Sequence, residues 1–354
     1  CLANQLPHQP AAKMVRPLVD GYIQELRRKA PKYARRQVSM LHWHTPKSQM
    51  DKSEITEIMY HLGRSYHLSD HPLADYCVRI NNDTQKEDIA ALFKGLGFNR
   101  LEVIETPNSP ISSQKLRDLR ALADDYQYQQ FHLTLEAPCL NLHTRLLNAF
   151  THFDQMPDLV RFHSLEANQD TKLRATEFHQ LLEGMRAQGY RILGNDCFVK
   201  AKHELANAQN RHQLSQTWLG YNAANVNSVL GLGPGNISQE DWRYDRNPCS
   251  LDHYLKGADH HRPEGSQFKE KPKAKRITDA LLRYHSLDLK YLAERHDLHP
   301  LKRLYDLQHQ LPAPLKSLFA ISEQHCQLTP LGVIYLEEIC HFFMRHTPPP
   351  ALKL

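Results

Sequence analysis

Residues 189–238 read GYRILGNDCFVKAKHELANAQNRHQLSQTWLGYNAANVNSVLGLGPGNIS. The stretch opens on a short apolar strand, Tyr190 to Leu193, and passes through Asn195-Asp196-Cys197-Phe198 and Trp218-Leu219-Gly220-Tyr221. It ends on Gly231-Leu232-Gly233-Pro234-Gly235-Asn236-Ile237-Ser238. Taken singly, these blocks are packing and turn geometry, because glycine and proline punctuate turns wherever they occur. A lone G-x-G-P-G turn is weak evidence for any ligand. The information lies in the order of the blocks and in what stands on either side of them.

Upstream, helical and strand patterns alternate. Leu18 to Lys29 is amphipathic, with Leu18, Tyr22, Ile23 and Leu26 on one stripe. Strands are expected at Val38 to Trp43, Tyr76 to Ile80, Arg100 to Ile104, Phe131 to Leu135 and Leu159 to Ser164. Between them fall helices from Glu54 to Tyr66 (capped by Ser53), from Asp83 or Thr84 to Lys94, and from Ser113 to Asp124. Two more are expected, Asn141 to Phe150 and Ala175 to Gln188. Such alternation means parallel strands with helices packed outside, in a barrel or an open doubly wound sheet.

Downstream the pattern changes at about Asp241. Lys256 to Arg276, with its basic run 269–276, reads as a solvated loop. Helices are then expected at Ile277 to His285, Leu289 to Arg295, Pro300 to Gln310, Leu315 to Phe319 and Pro330 to Met344. The chain therefore divides into a β/α domain, 1–240, and a smaller, mainly helical domain, 241–354. Limited trypsin digestion is expected to cut between Ala258 and Arg276 and release a mainly helical piece. Uniform resistance there would contradict the boundary.

Composition narrows the function classes. The chain has 354 residues, 23% charged and 41% hydrophobic, with a formal charge of +5 spread along its length. That balance does not argue for a nucleic-acid partner, and the basic run lacks interleaved aromatics. No apolar run reaches the ~20 residues of a membrane helix. Seven cysteines, at 1, 77, 139, 197, 249, 326 and 340, include no C-x-x-C pair. An odd, scattered set suits a reducing compartment, so a cytoplasmic location is expected. Cys1 leaves open a rival reading as the first residue of a processed lipoprotein. Glycine is scarce, 14 in 354, where folds that wrap a nucleotide-like cofactor rely on it. The 23 histidines read as scattered surface residues. The spacings of G-x-S-x-G, the phosphate-binding P-loop and H-E-x-x-H are absent, and no catalytic residue is assigned.

In order over fifty residues, the blocks of 189–238 resemble a segment of the oxygen-independent coproporphyrinogen III oxidases, which are radical S-adenosylmethionine (SAM) enzymes. Leu328-Thr329-Pro330-Leu331-Gly332 is similar to the start of that family's terminal helix. The resemblance implies a partial parallel β/α barrel followed by a helical C-terminal domain. It also implies a tetrapyrrole substrate beside Trp218, Gly220, Tyr221, Gly233 and Ile237. Further, it implies a [4Fe–4S] cluster held by a C-x3-C-x2-C loop, with SAM beside it.

Those cofactor motifs are eroded. Cys1 stands where the last cysteine of the loop would fall, and is a ligand only if further cysteines lie upstream. The family's glycine triplet before Thr-Pro has become His44, followed by Thr45 and Pro46. Arg79 and Asn81 hold the places of an acidic pair, and Leu101–Thr106 and Leu133–Pro138 replace other motif segments. The expectation is a degenerate or N-terminally truncated member, related to porphyrin and haem biosynthesis, with no cofactor as written. An active oxidase seen as a fragment is one alternative. A haem- or porphyrin-binding or scaffold protein is another.

Overall fold

The computed structural model describes residues 2–4, 14–45, 50–71, 74–81, 86–105, 111–135, 156–162, 171–226, 228–256 and 273–346. The chain divides into two compact units. The first comprises residues 1–137, 149–160 and 217–267, and the second residues 138–148, 161–216 and 268–354. Cys1, Pro46, the expected helix 141–150 and most of the loop 256–276 lie outside the described residues.

The first unit is built on β1 (Leu2–Asn4), β2 (Met40–Thr45), β3 (Asp75–Asn81), β4 (Arg100–Glu105), β5 (Gln130–Leu135) and the first two residues of β6 (Leu159–Phe162). The meander β7 (Ser228–Leu232), β8 (Ile237–Glu240) and β9 (Arg243–Arg246) completes it. Their spatial order is β9-β8-β7-β1-β2-β3-β4-β5-β6. β7, β1, β2, β3, β4 and β5 run parallel, while β7, β8 and β9 are joined antiparallel. Parallel strands lie under helices on at least one face, so they read as nearly continuous buried runs, and all six residues of β4 are buried. Helices α1 (Val15–Tyr33), α2 (Lys52–Ser65), α3 (Lys86–Gly95) and α4 (Ser113–Asp125) supply the cover. Trp43 of β2 meets Phe93 of α3 with ring centroids 5.6 Å apart, and Phe93 meets Phe98 edge-on at 4.8 Å. Each such buried ring contributes about 1.5–3 kcal/mol.

Two local expectations are corrected. The strand expected from Val38 is broken at Ser39, so that Gln37–Val38 pairs with His67–Leu68 while β2 begins at Met40. Helix α2 is capped by Asp51 rather than Ser53. Glu54 N donates to Asp51 Oδ1 at 2.9 Å and Asp51 N donates to Glu54 Oε2 at 2.9 Å, which satisfies two terminal donors at once. Ser53 instead donates to Asp51 Oδ1.

The second unit holds α5 (Thr171–Ala187), the antiparallel hairpin of Tyr190–Leu193 with Cys197–Lys200, and α6 (Glu204–Asn210). Helix Lys273–Tyr284 packs on Leu336–His346 over Leu281, Ile339 and Phe343. The helix expected from Pro330 to Met344 is interrupted at Tyr335, and the one from Pro300 ends at Asp306, before a 3-10 turn at Gln308–Gln310. A small antiparallel sheet was not expected: Ser286–Asp288, His325–Leu328 and Phe319–Ile321, with His325–Leu328 central. Gly332 is required by packing, since a Cβ there would strike the Leu318 carbonyl. Thr329 caps that helix by accepting from Gly332 N at 3.0 Å.

Candidate functional site

Side chains alternate across a strand, and here the alternation separates two chemistries. Leu41, Trp43, Val78, Ile80, Leu101, Val103, Phe131 and Leu133 form an apolar face. The opposite face carries His42 and His44 of β2, Cys77, Arg79 and Asn81 of β3, Arg100 and Glu102 of β4, and His132 and Thr134 of β5. Register sets His44 opposite Arg79, Arg79 opposite Glu102 and Glu102 opposite His132. Glu102 is 3% exposed, Arg79 6% and Thr134 0%, so this polar layer is removed from water and its charges must be matched internally.

They are matched. Arg79 Nη2 donates to Glu102 Oε1 at 2.8 Å, Thr134 Oγ1 donates to the same oxygen at 2.6 Å, and Cys77 Sγ lies 3.5 Å from Glu102 Oε2. One strand position along, Arg100 pairs with Asp75 at 2.7 Å and also contacts His42 Nε2. Burial works against the charge on Arg100, but the carboxylates of Asp75 and Glu102 outweigh it and hold the group charged. Burial pushes the Cys77 thiol up to about 12, so it stays protonated. Burial and the Arg79 charge together lower the His44 imidazole to about 4, against a smaller opposing pull from Asn81.

The depressed His44 value has a consequence for stability. The folded state holds a neutral ring that the unfolded chain protonates near pH 6.5. This contribution is therefore complete above about pH 6.5 and is lost as pH falls toward 4. The loss amounts to about 3 kcal/mol at roughly 1.4 kcal/mol per pH unit. Urea denaturation at pH 7 and pH 4.5 should show a smaller pH difference in His44→Asn than in the unaltered protein. Equal differences would remove His44 from the account.

His42, Cys77 and Glu102 offer three ligand-type atoms within 4.8 Å of one another. They suit a cation poorly, because two guanidiniums press on the same atoms and the thiol is held protonated.

Ligands of α/β folds sit beyond the carboxyl ends of parallel strands. Leu232 of β7 pairs with Asn4 and Asn4 with Trp43, which puts Gly233 level with His44 at that end. Gly233 has φ +96°, and a Cβ there would strike the Tyr22 ring. Its N–H donates to Glu25 Oε2 at 2.7 Å. Glu25, 3% exposed, also accepts from Asn247 Nδ2 at 2.7 Å and Tyr254 Oη at 2.8 Å, and pairs with Lys29 at 2.6 Å. Burial, then the Glu25 charge, raises the Tyr254 hydroxyl far above its usual value, so it remains a donor. Ile237 closes the same hairpin, its backbone filling the space that a Cβ on Gly231 would need.

The structure does not bring all five candidate binding residues together. Trp218 packs with Leu219 against Val229 near the amino end of β7, and its backbone N–H donates to Gln239 Oε1 at 2.9 Å. Gly233 lies past the other end of that strand, four residues on, or ~13 Å at ~3.3 Å per residue. Gly220, at φ +120°, and the buried Tyr221 follow Trp218 in Gly220–Asn222. The indole Nε1 of Trp218 is buried without an acceptor among the described residues. Glu102, His132, Thr134, His42 and Arg100 were not singled out from sequence as a group. The period-2 polar positions of the four strands, read side by side, are the signal that finds them.

No protein-family model matches the chain. The oxygen-independent coproporphyrinogen III oxidase of Salmonella typhimurium is 25% identical over 362 residues, covering 92% of this chain and 78% of that one. The Escherichia coli enzyme is 24% identical over 367 residues, with the same coverage. That of Thermostichus vulcanus is 32% identical over 101 residues, 28% of this chain. The solved coproporphyrinogen III oxidase HemN of Escherichia coli, described as a radical SAM enzyme, superposes with a TM-score of 0.79. That superposition covers 97% of this chain and 89% of that one at 19% identity, and the likeness is one of fold. In sequence over nine-tenths of its length, and in fold, the chain is similar to the oxygen-independent coproporphyrinogen III oxidases.

Proposed function

We propose that the chain acts in porphyrin metabolism as a tetrapyrrole-binding protein of coproporphyrinogen III oxidase descent, without radical SAM catalysis. The observation that carries this reading is the Arg79–Glu102–Thr134 network on the polar face of the sheet, opposite the apolar face and termed the inner face. A SAM molecule presents an ammonium, a carboxylate and a sulfonium, each needing a partner in the cleft. On this face Arg79 and Arg100 are each already paired with a carboxylate of the same sheet. The pairing on the inner face argues for lost catalysis.

For binding, the support is the Trp218 segment, whose apolar body and unmatched indole donor suit a ligand held by large apolar surface and a few polar contacts. The full chain, titrated with coproporphyrin III and with haem, should shift the Soret band. Trp218→Phe, which removes the indole N–H and part of the apolar ring, should weaken binding about 5- to 10-fold, and Trp218→Ala more. No spectral shift with either tetrapyrrole would sink the binding role. An unchanged affinity in both variants would move the site elsewhere.

A further inference from the structure

The second unit contains a cleft of about 590 Å³ lined by Arg186, Arg191, Gln209, His212, Tyr284 and His325, among others. That volume suits a small organic ligand. No acidic side chain is among the described residues that line it. Arg191, at the start of the strand Tyr190–Leu193, is held by two neutral oxygens. Its Nη1 donates to Asn210 Oδ1 at 2.8 Å and its Nη2 to Gln209 Oε1 at 3.3 Å. Gln209 is itself tied down, since its Nε2 donates to the Arg283 carbonyl at 2.9 Å. The fork is oriented without being neutralised. Arg186 reaches the same cleft from the last turn of α5. Its partner Glu183, at 3.1 Å, sits on the exposed helix surface, where water screens the pair.

The two guanidiniums act together on their surroundings. His285 lines the cleft with its Nε2 donating to the Gly194 carbonyl at 2.8 Å. Burial first, and then the charges of Arg186 and Arg191, lower its pKa below the usual value. His212 stacks at a tilt on Tyr284, centroids 4.7 Å apart, and gives the cleft an aromatic wall. His212 and His285 both hold left-handed backbone, at φ +54° each. Non-glycine residues adopt that region rarely, and mostly where surrounding structure demands it.

A recess lined by two arginines and no carboxylate focuses positive potential inward. The arginine fork matches the tetrahedral oxygens of phosphate in a bidentate way that a lysine does not. We propose that this cleft binds a phosphorylated small molecule, with Arg191 and Arg186 on the phosphate oxygens and the His212–Tyr284 wall against the remainder. The proposal is independent of the tetrapyrrole reading, which concerns other residues.

Calorimetry on the full chain with inorganic pyrophosphate, ATP and sulfate at matched ionic strength tests it. Pyrophosphate and ATP should bind, and sulfate should bind at least ~10-fold more weakly. Arg191→Gln and Arg186→Gln should each reduce pyrophosphate affinity ~10- to 100-fold, in line with loss of a charge-assisted bidentate contact. Arg186 is exposed on its helix, so its replacement should leave thermal unfolding unchanged and keep the test valid if Arg191→Gln folds poorly. ATP binding tighter than pyrophosphate would give the aromatic wall a nucleoside to hold; equal affinities would limit the site to the phosphates. Absence of heat with both phosphates, affinity unaltered in Arg186→Gln, or sulfate binding as tightly as pyrophosphate would each overturn the proposal.

Discussion

Glu102→Ala should lower the unfolding free energy by about 3–5 kcal/mol, the cost of leaving a buried guanidinium without its counter-charge. Arg79 and Glu102 are 6% and 3% exposed, and Thr134 would lose its acceptor in the same step. The magnitude belongs to breaking the pair, not to the pair's net worth. Replacing both partners together, Arg79→Met with Glu102→Leu, should therefore recover most of the loss. Urea denaturation of the three variants at pH 7 checks this. A double variant as unstable as Glu102→Ala, or a single variant costing less than ~1 kcal/mol, would mean that the inner face is not closed by this pair.

A comparable loss, about 3–5 kcal/mol, is expected from Glu25→Ala. One carboxylate there holds Lys29, Asn247, Tyr254 and the Gly233 N–H, and each buried group left without a partner costs about 1–3 kcal/mol. The damage should be local as well as global, because Glu25 ties α1 to the turn after β7. Amide exchange at Gly233 should therefore accelerate beyond what the change in global stability requires. If Gly233 exchanges only as fast as the whole molecule unfolds, the carboxylate is not what holds the turn.

The alternation of strand and helix was legible because β2 through β5 carry buried apolar residues at every second position, and the ends of most elements fell within a few residues. What escaped has physical reasons. The small sheet formed by Ser286–Asp288, Phe319–Ile321 and His325–Leu328 has strands of three or four residues, too short for a period to register. Asp51 caps α2 through a reciprocal bond with Glu54, an exchange missed in placing the cap at Ser53.

The site was legible only in part. His44 and Arg79 stood out against the resembled family, but as isolated losses. Glu102, which balances Arg79, lies 23 residues away in sequence and becomes its neighbour only through the register of β3 with β4. The histidines, read as scattered surface groups, include His42, His132 and His203, all buried. Glu25, in the middle of an amphipathic helix, gave no sign that it would be buried and bonded to a turn more than 200 residues later. Long-range polar pairing leaves little trace in a single sequence.

The claim on which the account turns is that the inner face, closed by Arg79 and Glu102, no longer receives SAM. Isothermal calorimetry with SAM, on full-length protein reconstituted anaerobically with iron and sulfide, tests it most directly. The account predicts no heat of binding. A saturable isotherm with micromolar affinity would contradict it and return the chain to the working oxidases.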